Sequence, residues 1–129
     1  MRRVLILCVL SVACHGSPTE PGMMTLGAGR WTGGGACLSV SDSQCELAVG
    51  CGHGKFPKPI IRNDGTFDVD GTYRIEVGPV SINPPPPAHF SGSLVGSTLT
   101  LNVIPTGSLP PATYSLKPTT PGGCTPPCV

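Results

Sequence analysis

The sequence predicts an all-β protein: a single small antiparallel meander barrel of about seven strands, with a two-sheet β-sandwich as the alternative. Two observations lead to this prediction. From Trp31 onward, apolar and polar residues alternate along several short segments, which is the period of a strand. The chain also contains 18 glycines and 16 prolines among 129 residues, which disfavours helices. Short strands with one apolar face must close or stack to bury it, and consecutive hairpins favour closure into a barrel.

Residues 1–13 are predicted to be a signal peptide. The stretch "MRR" is positively charged, and the apolar run "VLILCVL" is far too short to span a bilayer. Small residues then precede Cys14, and the segment resembles the leaders of bacterial lipoproteins. In such leaders the cysteine becomes the mature N-terminus and carries a diacylglyceryl group, so the resemblance implies lipidation at Cys14. Residues 14–28 are small, polar and without periodicity, and are predicted to form a flexible tether.

An alternative is ordinary cleavage after Ala13, because Ser11-Val12-Ala13 also fits a small-x-small site. The product would be secreted and soluble. Cys8 is removed with the leader in both cases. If Cys14 is lipidated, five cysteines remain and one thiol is left over, whereas six can all pair if Cys14 is unmodified. The remaining five are Cys37, Cys45, Cys51, Cys124 and Cys128. Cysteine parity favours secretion, while the leader and the tether favour the lipid anchor, which we prefer.

The β domain is predicted to span residues 29–118. Its first hairpin, "ACLSVSDSQCELAV", turns at residues 41–43. A later hairpin, "HFSGSLVGSTLTLNVI", turns at residues 96–97 and pairs Leu94 with Leu99. The stretch "ATYSLK" adds a last strand. Each of these segments has one apolar face for the barrel interior.

The clearest single strand is "TFDVDGTYRIEV". Phe67 and the alternate residues after it are apolar and are expected to point inward, whereas Asp68 and Asp70 point to water. The preceding "NDG" loop ends in Gly65, which is expected in the left-handed conformation. This register sets Lys58 opposite Asp70 on the wet face.

Along residues 29–129 the chain carries, in order, "GRW", "CGHG", "DGTFDVDGTY", "HFSGSLVGSTLTLNV", "ATYSL" and a terminal cysteine. This order resembles a group of small bacterial all-β lipoproteins. The resemblance implies an exported protein of the cell envelope, and brings no reaction or catalytic residue with it. In that group a cysteine before the His-Gly pair accompanies one near the C-terminus, and Cys51 and Cys128 match those positions.

Seven cysteines in so short a chain indicate an oxidising compartment, where disulfides support a modest core. The tail, residues 119–129, has no apolar face to hold it against the domain. We therefore predict a disulfide from Cys51 to the tail, with Cys128 preferred to Cys124. A second candidate pair consists of Cys37 and Cys45, whose opposite strand parity argues against direct bonding.

The stretch "VGCGHGKF" is the most site-like part of the chain. Cys51 and His53 are candidates for a metal site or for a nucleophile with its base. Zinc needs three or four ligands, and in an oxidising compartment disulfides compete for the sulfur. We therefore predict no metal, no cofactor and no catalytic residue. Asp64, Asp68 and Asp70 lack the loop and distal acid of a calcium hand, and are expected to form a solvated face.

The formal net charge is +1, and without the two leader arginines it is about −1, so no basic surface suggests nucleic acid. The main hypothesis is a bacterial envelope protein with a binding or structural role, held on the membrane by its N-terminal lipid and facing the periplasm or the exterior. The alternative is a secreted soluble interaction or inhibitor module that acts through loops such as "INPPPPAHF". An enzyme is disfavoured because no acid, base and nucleophile converge in the sequence.

Overall fold

The computed structural model describes residues 24–76 and 83–119, which form ten β-strands joined by turns. The strands are β1 (Met24–Thr25), β2 (Gly29–Gly33), β3 (Ala36–Val40), β4 (Gln44–Val49), β5 (Gly52–Pro57), β6 (Ile60–Ile61), β7 (Thr66–Ile75), β8 (Pro87–Val95), β9 (Thr98–Pro105) and β10 (Ala112–Thr119). Within these two ranges, no helix has the length and apolarity needed to cross a membrane.

Eight of the strands form a closed antiparallel barrel in the order β10-β2-β3-β4-β5-β7-β8-β9. Each barrel strand pairs with the next one along the chain, and β10 closes the barrel against β2. The all-β meander barrel predicted from the sequence is confirmed, with eight barrel strands instead of about seven. The additional strand is β2, and β6 leaves the barrel to pair with β1 in a small second sheet.

The barrel interior is filled by the chain's own side chains. Phe56 and Phe90 stack at its centre with ring centroids 4.3 Å apart and an angle of 26° between the rings. The other large and fully buried side chains are Phe67, Leu26, Leu38, Leu47, Leu99, Leu101, Leu116 and Val103. Barrels of eight strands are just wide enough to be packed in this way. Trp31 belongs to the same core and is 8% exposed.

Glycines at inward positions of β5 make room for aromatic rings from neighbouring strands. A Cβ atom on Gly54 would lie 3.1 Å from two carbons of the Phe90 ring. A Cβ atom on Gly52 would overlap the hydroxyl of Tyr73. Both glycines are buried, but they have no apolar side chain, so the sequence of β5 does not show the alternation of apolar and polar residues that marks the other strands.

The first predicted hairpin forms, and the one that turns at Gly96 has the register expected from the sequence. Val40 pairs with Cys45 across the turn at residues 41–43, and Leu94 pairs with Leu99 across the turn that begins at Gly96. Gly96 has a φ of +59°, the left-handed conformation that such a turn requires.

The central hairpin is confirmed only at its loop. Gly65 has a φ of +84°, and the Arg62 N–H donates a 2.8 Å hydrogen bond to the Thr66 carbonyl oxygen. Beyond that bond the expected ladder does not form, because Ile60–Ile61 turn away to pair with β1. The loss of this ladder is consistent with the prolines in the segment, which cannot donate to a ladder.

The predicted opposition of Lys58 and Asp70 is therefore wrong. The Lys58 N–H donates a 3.0 Å hydrogen bond to the carbonyl oxygen of Ser43, in the turn between β3 and β4. Asp70 lies opposite His89 on β8, with 2.8 Å between a carboxylate oxygen and Nδ1 of the imidazole.

The folded region begins before the predicted boundary at residue 29. Met24–Thr25 pair with Ile60–Ile61, and Leu26 is completely buried in the core. The tether predicted over residues 14–28 therefore does not extend to residue 28. The signal peptide and Cys14 lie outside the described residues, as does the tail after Thr119.

Candidate functional site

Cys45 is a free thiol inside the barrel. Its neighbours across the strands are Val40 and Phe56, and its side chain is fully buried. Burial raises the pKa of the thiol from 9.0 to about 11, partly opposed by the positive charge of Lys58. Cys45 is thus excluded as a disulfide candidate, and the second candidate pair, Cys37 with Cys45, does not form, as their opposite strand parity indicates.

The geometry of β3 and β4 explains why these two cysteines do not meet. Cys37 pairs across the strands with Ala48, and its neighbours Ala36 and Leu38 belong to the core cluster. Side chains alternate along a strand, so Cys37 points to the outside while Cys45 points to the inside.

Cys37 and Cys51 are both in disulfide form. Cys51 lies in the turn between β4 and β5, only three residues after Ala48, which is the cross-strand partner of Cys37. The two sulfurs are therefore attached near the same end of the barrel. Cys124 and Cys128 lie outside the described residues, so the pairing of Cys51 with the tail stays a prediction.

His53 lies on the outer side of β5 and contacts an acid from the end of β7. Its Nε2 is 3.5 Å from a carboxylate oxygen of Glu76, and the other oxygen of that carboxylate is 3.0 Å from the Arg74 guanidinium. Cys51 is in disulfide form and offers no thiolate to His53. Among the described residues, no group of three or more His, Cys, Asp or Glu side chains is placed to hold a metal.

An outer cleft of about 350 Å³ crosses the outside of β3, β4, β5 and β7. Its polar walls are formed by Ser39, Glu46, His53, Lys55, Thr72 and Arg74. Lys55 and Glu46 approach to 3.8 Å, and the Arg74 guanidinium is held by Glu76, so the cations have acidic partners close by. All four of these charged side chains are substantially exposed or half-buried, which makes such pairs weak in water.

A smaller mouth pocket of about 180 Å³ opens at one end of the barrel. It is lined by Tyr73, Ile75, Val103, Pro105, Leu109, Pro110, Ala112 and Tyr114. None of these described lining side chains is a charged residue at neutral pH, and burial raises the pKa of both tyrosines further above its ordinary value of 10.0. The nearby Tyr114 adds to the shift of the Tyr73 pKa. This pocket has a more apolar lining than the outer cleft.

The three aspartates considered for calcium each have a separate partner. Asp64 accepts hydrogen bonds from the hydroxyl and the backbone N–H of Thr66, at 2.6 and 3.0 Å, and these bonds lower the pKa of its carboxyl group. Asp68 pairs with Arg62, and Asp70 contacts an imidazole on β8. The three carboxylates are exposed and do not converge on one point. This agrees with the prediction that they form a solvated face.

Sequence reasoning found the cysteines and His53 but missed the mouth pocket. Its walls come from β7, β9, β10 and the turn before β10. Because β7 is far from the other segments in the sequence, no local motif predicts the pocket. Comparisons of the chain with protein-family models, with curated proteins and with solved structures give no significant match. The sites are therefore interpreted from their geometry and chemistry.

We expect Cys45 to be inaccessible to alkylating reagents in the folded protein and to react after unfolding in urea. The sign of its pH dependence follows from its pKa. Above pH 9 the unfolded chain releases the thiol proton while the folded chain retains it to about pH 11, so stability falls as pH rises through this window. Urea melts should show a loss of about 1 kcal/mol by pH 10.

Cys45→Ala provides the matched control, because it removes the thiol and leaves both pocket tyrosines. The difference in pH dependence between the two proteins isolates the contribution of Cys45. Rapid alkylation of Cys45 under native conditions, or identical pH profiles for both proteins, would contradict its assignment to the core.

Proposed function

We propose that this chain is a lipid-anchored protein of the bacterial cell envelope, attached through Cys14, with a binding role rather than a catalytic one. The alternative is a secreted soluble interaction or inhibitor module. Both follow from an export leader, and they differ in the fate of Cys14.

The observation that carries the proposal is the state of Cys45. Lipidation of Cys14 leaves five other cysteines in the mature chain, an odd number that favours the secreted alternative. Cys45 is a buried free thiol, which accounts for the odd cysteine. Four cysteines then remain for two disulfides, and parity no longer argues against the lipid anchor. If Cys14 were unmodified, five cysteines would remain beside Cys45, and one of them would lack a partner within the chain.

The same accounting supports a specific disulfide pattern. We propose that Cys51 is joined to Cys128, which leaves Cys37 for Cys124. Cys37 and Cys51 both lie near one end of the barrel. Cys124 and Cys128 are separated by only three residues in the tail, so a tail that lies at this end can form a disulfide with both Cys37 and Cys51.

A binding role at the surface is supported by the packed barrel interior. Phe56, Phe90 and Phe67 fill the space that larger or emptier barrels use for a ligand. Two recesses formed by the described residues, the outer cleft and the mouth pocket, open to the outside. A catalytic role is not supported, because the sulfur of Cys51 is in disulfide form and His53 faces Glu76. We propose no metal and no cofactor.

The anchor is tested by expressing the full chain in a bacterium and measuring the intact mass of the protein from membranes. We expect a mass above that of a chain starting at Cys14 by at least a diacylglyceryl group. Cys14→Ser should lose this modification and the tight membrane association, while Cys8→Ser in the leader should retain both. A soluble, unmodified chain that starts at Cys14 would instead establish the secreted alternative.

A further inference from the structure

The mouth pocket has a size that selects a class of ligand. Its volume is about 180 Å³. An apolar protein cavity of about 150 Å³ is large enough to bind benzene. The pocket therefore accommodates one six-membered ring with a small substituent, and larger ring systems would protrude into solvent.

The walls of the pocket favour an uncharged ligand. Ile75, Val103 and Leu109 contribute aliphatic side chains, and two prolines and an alanine complete the apolar lining. Among the residues that the structure describes, no Lys, Arg, Asp, Glu or His lines the pocket. A charged group placed there would lose its hydration without gaining an ionic partner, which is costly.

Among the described lining residues, the polar side-chain groups are the two phenol hydroxyls. The Tyr73 hydroxyl occupies the space above Gly52, where a Cβ atom would otherwise stand. Tyr114 is less buried, and among the described residues its hydroxyl takes part in no hydrogen bond. Tyr114 is therefore the donor that a ligand can reach, because a phenol keeps its proton at neutral pH and burial raises its pKa further.

We propose that the mouth pocket binds a small uncharged molecule built on a single six-membered ring, with a carbonyl or hydroxyl oxygen that accepts a hydrogen bond from Tyr114. This inference rests on the proposed binding role and supplies its ligand class. The outer cleft is not required for it.

The chain has only two tyrosines, and both line the pocket, which gives the test its readout. The mature full-length protein is labelled with ¹³C-tyrosine and titrated with acetophenone, a neutral ring with one carbonyl acceptor. We expect saturable shifts of both tyrosine ring signals. Benzoate, of similar size but charged, should bind at least tenfold more weakly. Equal binding of benzoate, or no saturable shift with acetophenone, would overturn the proposal.

Tyr114→Phe removes the donor and leaves the ring in place, with Tyr73 as the reporter. Acetophenone should bind this variant about three- to tenfold more weakly, the effect of one neutral hydrogen bond. Toluene, which has no acceptor, should bind both proteins equally. An equal loss of toluene binding would mean that Tyr114 acts through shape alone, against the proposed hydrogen bond.

Ala112→Phe fills the pocket and should abolish saturable binding of both rings. Thr113→Phe is the matched control, because Thr113 is the next residue on β10 and is exposed. If both substitutions weaken binding equally, the ring is not in the pocket and the proposal fails. If no ring binds but the protein is still anchored to the membrane, only the proposed ligand class is rejected, because the Cys14 experiment does not depend on ligand binding.

Discussion

Phe67→Ala is expected to lower the free energy of unfolding by about 3–5 kcal/mol. Phe67 is 1% exposed and belongs to the core cluster. Its cross-strand neighbour on β8 is Gly92, where a Cβ atom would stand 3.0 Å from the tip of the Phe67 ring. Because glycine has no side chain that can move into the vacated space, the cavity left by the substitution should persist, which places the cost in the upper part of the range.

Asp68→Ala, one residue further along β7, should cost well under about 1 kcal/mol. Its side chain is 47% exposed and pairs with Arg62, whose side chain is 53% exposed. Pairs of this kind contribute little in water because solvent screens them and both side chains lose freedom. Arg62→Ala serves as the control for the pair and should give a similarly small effect. Urea melts of the three variants measure the contrast.

The contrast between neighbours tests the register of β7 directly. A slip of one residue in a strand exchanges its inner and outer faces. If Asp68→Ala unfolds the protein while Phe67→Ala is tolerated, the aspartates of β7 lie inside the barrel and the assigned core is wrong.

The parts of the fold that the sequence predicts well are strands whose inner and outer residues differ in polarity. Along β7, Phe67 and Tyr73 lie inside while Asp68 and Asp70 lie outside, so the alternation carries the register. The turns add independent information, because Gly65 and Gly96 both hold a positive φ that few other residues adopt. At Gly96 the strand pattern and the turn chemistry predict the same hairpin, and it forms, whereas at Gly65 only the loop forms as predicted.

The start of β5 was not predicted because its inward positions are glycines. Gly52 and Gly54 give no apolar signal, so the sequence marks this stretch only as a candidate site. The reason for these glycines lies on other strands: Tyr73 and Phe90 occupy the space that side chains on β5 would fill. Such information appears only when the pairing of β5 with β7 is known.

For the candidate sites, part of the missed information was present in the sequence. Cys45 lies two residues before Leu47 and therefore shares its inward face. Cys37 lies between Ala36 and Leu38, which point inward, and therefore faces outward. Strand parity alone separates the free thiol from the other cysteine. The mouth pocket is different, because Tyr73 and Tyr114 are brought together only by closure of the barrel.

Loss of the disulfide from Cys51 is expected to cost about 4 kcal/mol, comparable with Phe67→Ala. The proposed bond to Cys128 closes a loop of roughly 75 residues, and in the chain-entropy model such a loop restricts the unfolded state by about this amount. The bond would tie the tail that follows β10 to the turn between β4 and β5. Cys51→Ser should therefore lower the urea midpoint strongly.

Peptide mapping without reduction, after alkylation of the unfolded protein, identifies the bond itself. We expect one linked pair that contains Cys51 and Cys128, a second that contains Cys37 and Cys124, and alkylated Cys45. Cys45→Ala is the control, since it should leave both linked pairs unchanged, remove only the alkylated cysteine, and alter stability much less than Cys51→Ser. A bond from Cys51 to Cys124 would keep the tie to the tail but reverse our preference between its two cysteines. A bond between Cys51 and Cys37 would refute the proposed disulfide to the tail, because the tail would then have no covalent link to the barrel. In that case Cys51→Ser would open a loop of roughly 15 residues and cost about 3 kcal/mol.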